Sequence, residues 1–109
     1  MANKFNKALV TGIGTSLTSV YATSSTTRAT VIGINIANLV DSEIYVDIKL
    51  TDENNLTGYI VKGVLIPPNQ SLAAMGGDQK LVLVPNNTLK IASSAASSVD
   101  VIISVLEIA

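Results

Sequence analysis

Eleven serines and ten threonines supply hydroxyls to this 109-residue chain, yet it holds no histidine and no cysteine. A serine nucleophile needs a positioned base to take its proton, and without an imidazole only a Ser/Lys pair remains. The six lysines are what ordinary solvent-facing positions demand. Carboxylates come close in sequence at Asp41/Glu43 and Asp52/Glu53. A glycosidase pair, however, flanks a cleft normally furnished with aromatics, and the chain has three tyrosines, one phenylalanine and no tryptophan. These acids therefore read as turn and edge charges. No catalytic residue is expected, and the chain does not read as an enzyme.

Binding chemistry is similarly thin. Asp52, Glu53, Asn54 and Asn55 offer oxygens, but their spacing departs from the D-x-[DN]-x-[DN]-G calcium loop, so an Asx-type turn is expected. Gly12-Ile13-Gly14-Thr15 lacks the spacing of a phosphate loop and no helical pattern follows it, so it too reads as a turn. No metal and no cofactor are expected. Sugar binders and single-strand nucleic-acid binders use exposed aromatic platforms, and Phe5, Tyr21, Tyr45 and Tyr59 are few and dispersed.

Seven basic and eight acidic residues leave a formal charge of −1 with no run of like charge, which disfavours nucleic acid and anionic membranes as partners. Lys4 and Lys7 mimic the start of a signal peptide, but the apolar run behind them is only Ala8-Leu9-Val10 before Thr11-Gly12 interrupts it, so none is expected. Nor does any stretch approach the ~20 apolar residues of a membrane helix. Three N-x-[ST] sequons, at Asn55, Asn69 and Asn86, reflect a chain rich in Asn, Ser and Thr.

Val, Ile and Thr make up 34 of the 109 residues, types that pack well on a pleated surface and lose rotamer freedom in helices. Alternation is cleanest over residues 43–51, where Ile44, Val46, Ile48 and Leu50 share one face and Tyr45, Asp47 and Lys49 the other. Just upstream Ile32, Ile34 and Ile36 alternate with small or polar residues, and the turn formers of residues 38–42 suggest that the two segments form a hairpin. Further strands are expected at 7–10, 17–21, 59–66, 79–84, 88–92 and 99–108. Polar, proline or glycine turns separate them about every ten residues, at 52–55, 67–68, 76–78, 85–87 and 93–98. No convincing helical stripe occurs. The fold class expected is all-β: one domain spanning 1–109, an antiparallel sandwich of eight or nine short strands, jelly-roll or immunoglobulin-like.

Residues 99–108 are apolar on both faces. Val99, Val101, Ile103 and Val105 share one, and Ile102, Leu106 and Ile108 share the other with Asp100 and Ser104. Either this strand lies between two layers or its second face is a subunit contact. Tyr45, on the polar face of the clearest strand, is either an interface anchor or simply a good strand former. Residues 1–7, with Lys4 and Phe5, could form an arm that orders against a neighbour by adding to a sheet edge.

Taken as a whole the chain resembles small virion structural proteins of tailed bacteriophages. The likeness is carried by Met1-Ala2-Asn3-Lys4-Phe5, by Thr27-Arg28-Ala29-Thr30-Val31-Ile32-Gly33-Ile34-Asn35-Ile36-Ala37-Asn38, by residues 44–52, by Ile66-Pro67-Pro68-Asn69-Gln70-Ser71-Leu72, and by the stretches 89–94 and 105–108. That resemblance implies a β-sandwich subunit on the virion, at the capsid surface. It would be a homo-oligomer, with a trimer favoured, stapling neighbouring major capsid proteins together. Collar, tail or fibre components share the texture, and a host-surface glycan-binding module is the remaining alternative.

Overall fold

A computed structural model describes residues 3–75 and 80–108. Nine strands carry the described chain: β1 (Asn3–Ile13), β2 (Thr18–Ala22), β3 (Arg28–Asn38), β4 (Ile44–Thr51), β5 (Thr57–Ile66), β6 (Ser71–Met75), β7 (Leu81–Leu83), β8 (Thr88–Ser93) and β9 (Val99–Ile108). They form two antiparallel sheets. One has the order β1-β9-β3-β6, with β7 pairing the other end of β3, and the second has the order β2-β8-β4-β5. Strands β6 and β7 lie against opposite ends of β3, at Ile34 to Ala37 and at Ala29 to Val31, and so act as two halves of one strand position. The pairing is then nested, β1 with β9, β2 with β8, β3 with β6 and β7, and β4 with β5. An antiparallel ribbon rolled up in this way is a jelly roll, which decides between the two sandwich topologies expected.

The core is what alternation predicts for two facing sheets. Ala29, Val31, Ile34, Ile36, Val99, Val101, Ile103 and Val105 from the first sheet meet Val20, Ile44, Val46, Ile48, Ile66, Leu89 and Ile91 from the second, all buried. Branched aliphatics dominate because they fill the layer between sheets in the rotamers that strands favour.

Two local expectations change. The segments around Ile34 and Ile48 are not a hairpin: β3 pairs with β9, β6 and β7, and β4 with β5 and β8, so the 39–43 connection arches from one sheet to the other. Alternation reports which face of a strand is buried, and both strands bury one face whether they lie side by side or face to face. Buried Asn38 holds the arch. Its Nδ2 donates to the carbonyls of Ser42 (2.9 Å), Ile66 (3.1 Å) and Pro67 (3.0 Å), and its Oδ1 accepts the N–H of Val40 (3.0 Å). Ile32, in turn, does not share a face with Ile34 and Ile36. A bulge between Val31 and Gly33 inserts it as an extra residue and turns it outward, so that Ala29 and Val31 take the inward positions before it.

The proposed arm is also corrected for the part described. Asn3 to Val10 pair residue for residue with β9 of the same chain, so residues 3–7 belong to β1, while Met1 and Ala2 lie outside the described residues. Strand β6 was not expected, and Gln79 at the start of the expected 79–84 strand lies outside the described residues.

Candidate interaction surface

The two outer faces of the sandwich differ in chemistry. On the β1-β9-β3 sheet, residues opposite one another form rows. Phe5 faces Leu106, Leu106 faces Thr30, and Thr30 faces Val82, making one apolar row. Two residues along the strands, Lys7, Ser104 and Gly33 make a row of short or flexible side chains. Two further along, Leu9, Ile102, Asn35 and Ala73 make a second largely apolar row. Phe5 is 76% exposed, Val82 63% and Leu9 59%, and Ile102 and the bulged Ile32 are exposed as well.

Because Ser104 and Gly33 are small, the surface dips between the apolar rows. One hollow of about 330 Å³ is lined by Phe5, Asn6, Lys7, Ile32, Ser104 and Val105. Its neighbour, of about 400 Å³, is lined by Gly33, Ile34, Asn35, Ala73, Ile102 and Ser104. Single exposed apolar residues are ordinary, whereas several gathered on one face across four strand positions make that face a candidate interaction surface.

The opposite face is mixed, with Tyr45, Tyr59 and Leu65 exposed among lysines. Lys49 and Lys90 face each other across β4 and β8, and Lys49 also faces Tyr59 on β5. The Nζ atoms of Lys49 and Lys62 stand 4.7 and 5.3 Å from the Tyr59 ring centroid, so this ring is engaged by cations. Asp47 Oδ1 accepts the N–H of Gly63 (2.7 Å), a left-handed residue (φ 64°) at a bulge that breaks the regular edge of β5.

Of the candidate interface residues, Phe5, Ile102 and Leu106 come together on the apolar face, and Ile108 lies on it at one end, opposite Asn3 and Arg28. Lys4 projects from the other side of β1, opposite Glu107. Tyr45 is exposed on the second sheet, opposite Leu65. Leu9 and Val82 were missed, although continuing the Phe5-Lys7-Leu9 alternation would have found the first. Ile32 carries no such signal, because only the bulge brings it outward.

At one end of the sandwich a side-chain cluster ties the sheets together. The Tyr21 hydroxyl on β2 donates to Glu107 Oε2 on β9 (2.5 Å), and Asn6 Nδ2 donates to Oε1 (3.1 Å). The Tyr21 hydrogen bond holds the Glu107 carboxyl below the ordinary value of 4.5, with smaller help from Asn6 and the charge of Lys4 and against the opposing effect of burial. Burial, reinforced by Glu107, pushes the Tyr21 phenol well above 10, so it remains a donor across the working pH range. A carboxylate whose folded pKa lies below its unfolded one stabilises above the unfolded value and loses that contribution as pH falls through the folded value. Tyr21→Phe is accordingly expected to raise the Glu107 pKa towards 4.5 and so to remove the part of the acid destabilisation that Glu107 contributes as the pH falls below its unfolded value. NMR titration of the Glu107 carboxyl carbon reads this directly, and an unchanged midpoint would contradict the assignment.

Among the described residues, no group of three or more His, Cys, Asp or Glu side chains is placed to hold a metal ion, and no helix is long and apolar enough to cross a membrane. What these features define is a jelly-roll protein with one apolar and one lysine-rich outer face. Comparison with protein-family models, with curated proteins and with solved structures finds no match to this chain.

Proposed function

We propose that this protein is a non-enzymatic structural subunit of a tailed-phage particle, a decoration protein that adds to the capsid surface and bridges neighbouring major capsid proteins. The observation that carries this reading is the apolar outer face of the β1-β9-β3 sheet, with Phe5, Leu9, Val82 and Ile102 exposed in register across adjacent strands. Such a face gains free energy only when another surface covers it, which is the physical task of a subunit whose work is contact. The sequence resemblance to virion proteins supplies the particle. The jelly roll agrees with it by analogy alone, since this fold also serves lectins and cupins.

Quantitative mass spectrometry of purified particles, beside a reconstruction of the particle, tests the proposal. Copies numbering in the hundreds and spread over the shell are expected. A dozen or so at one vertex would move the protein to the collar or tail, and absence from the particle would overturn the structural reading.

A further inference from the structure

The outer face of the β1-β9-β3 sheet is shaped to receive a copy of itself. Its row of Leu9, Ile102, Asn35 and Ala73 stands beside the dip at Lys7, Ser104 and Gly33, one step of two residues along the strands. A two-fold axis lying between two such faces, perpendicular to the strands and passing between these rows, exchanges them. Ile102 of each copy then enters the 400 Å³ hollow beside Ser104 and Gly33 of the other. We propose that the protein associates as a two-fold dimer through this face, with β9 crossing over its own copy.

Three further observations select a second copy as the occupant. The first is area. Four strand positions about 4.8 Å apart, and strands of about ten residues rising about 3.3 Å each, give a projected face of roughly 600 Å². Accessible area exceeds projection because side chains stand out from the sheet, which brings the face to about the 800 Å² that each partner gives to a standard interface. The second is charge. Arg28 lies opposite Ile108 at one end of the face, and Asp100, whose Oδ1 accepts the N–H of Gly12 (3.0 Å), lies at the other, opposite Ala37. The two-fold reverses the strands, so it carries Arg28 of each copy towards the partner's Asp100. The third is layout: Ile102 lies in the middle beside the small Ser104 and Gly33 and the uncharged Asn35, and charges occupy the ends and the β1 edge, as at the rim of an interface. A twisted sheet with an apolar face is also the surface that another such sheet fits, stacking with its strands near alignment.

This inference covers with a second copy the face on which the proposed function rests, so that the capsid contacts of that reading would fall to the remaining surface of the dimer. Sedimentation equilibrium over a concentration series tests it on the intact chain. The expected mass is twice the chain's 11.3 kDa. Ile102→Asp, which places a carboxylate in the middle of the contact, is expected to give the single-chain mass with native circular dichroism. Leu9→Ser, a milder change on the edge strand, and Arg28→Glu are each expected to weaken association roughly tenfold. Tyr45→Asp, on the opposite sheet, should leave the dimer intact. A single-chain mass for the unaltered protein overturns the dimer, as does retention of the dimer by Ile102→Asp. A three-chain mass overturns it too, because a trimer joins two different patches and not one patch with itself. The two proposals fail separately: a monomer that still coats particles leaves the decoration reading standing, and a dimer absent from particles leaves the interface standing.

Discussion

Ile48→Asp is expected to abolish folding. Ile48 sits in β4 between β5 and β8, with no accessible surface, facing the inner side of the first sheet. A carboxylate there has no partner, and its burial as an ion is prohibitive, so the group would be forced to neutrality with a polar hydroxyl still unpaired. The aliphatic side chain it replaces also contributes about 2–5 kcal/mol when truncated in a close-packed core. A domain of this size has about 5–15 kcal/mol of stability in total, and the two losses together consume it. Circular dichroism should show no cooperative thermal transition and NMR amide dispersion should collapse. Tyr45→Asp on the outward face of the same strand should melt as the unaltered protein does. A soluble Ile48→Asp variant with an unchanged Tm would overturn the assignment of faces in β4.

The second large effect is at Asn38. Its side chain binds three carbonyls and one N–H where β3 leaves the first sheet for the second, and the bond to Ile66 is buried. Asn38→Leu keeps much of the volume and removes every one of these hydrogen bonds. Leaving buried backbone groups unpaired costs ~1–3 kcal/mol each, and since some of these groups can turn to water the expected loss is about 3 kcal/mol. In a chain near 100 residues that corresponds to a fall in Tm of about 12–20 °C. Asn38→Asp should be at least as damaging at neutral pH, because a carboxylate would face three carbonyl oxygens. Its folded-state pKa would be raised, so stability should recover as the pH is lowered and the group takes up a proton. Thermal unfolding at pH 7 and pH 4 reads both variants. A pH-independent Tm for Asn38→Asp would show that the side chain had turned to solvent and does not hold the arch.

Much of the local structure is legible in residue types. The turns around Asn55, Asn69 and Asn86 are marked by Asn beside Pro or another Asn, and all three asparagines adopt positive φ, a conformation that Asn tolerates better than most residues. The Asx turn expected at Asp52 is formed, its Oδ1 accepting the N–H groups of Asn54 and Leu56, both at 2.9 Å. Strand β4 follows its alternation, with Ile44, Val46 and Ile48 inward and Tyr45 outward. Strand β6 escaped notice because Ser71-Leu72-Ala73-Ala74-Met75 has few branched residues and takes its strand conformation from pairing with β3. The apolar face was only half visible. Ile102 and Leu106 stood out as a second apolar face of one strand and Phe5 as part of an arm, but that Phe5, Leu9 and Val82 lie beside that face depends on segments far away in sequence.

By itself the sequence determined the all-β class, the inward and outward face of most strands, the turn positions and the want of an imidazole or thiol for catalysis. These are matters of period, of residue conformation and of which chemical groups are present, and each is settled within a few neighbouring residues. Tertiary structure decided the rest: that β3 and β4 arch between sheets, that a bulge turns Ile32 outward, and that β1, β9 and β3 lie side by side so that scattered apolar residues become one surface. The physical reason is that alternation specifies which side of a strand is buried, whereas its neighbours are chosen by hydrogen bonding and packing between segments up to a hundred residues apart.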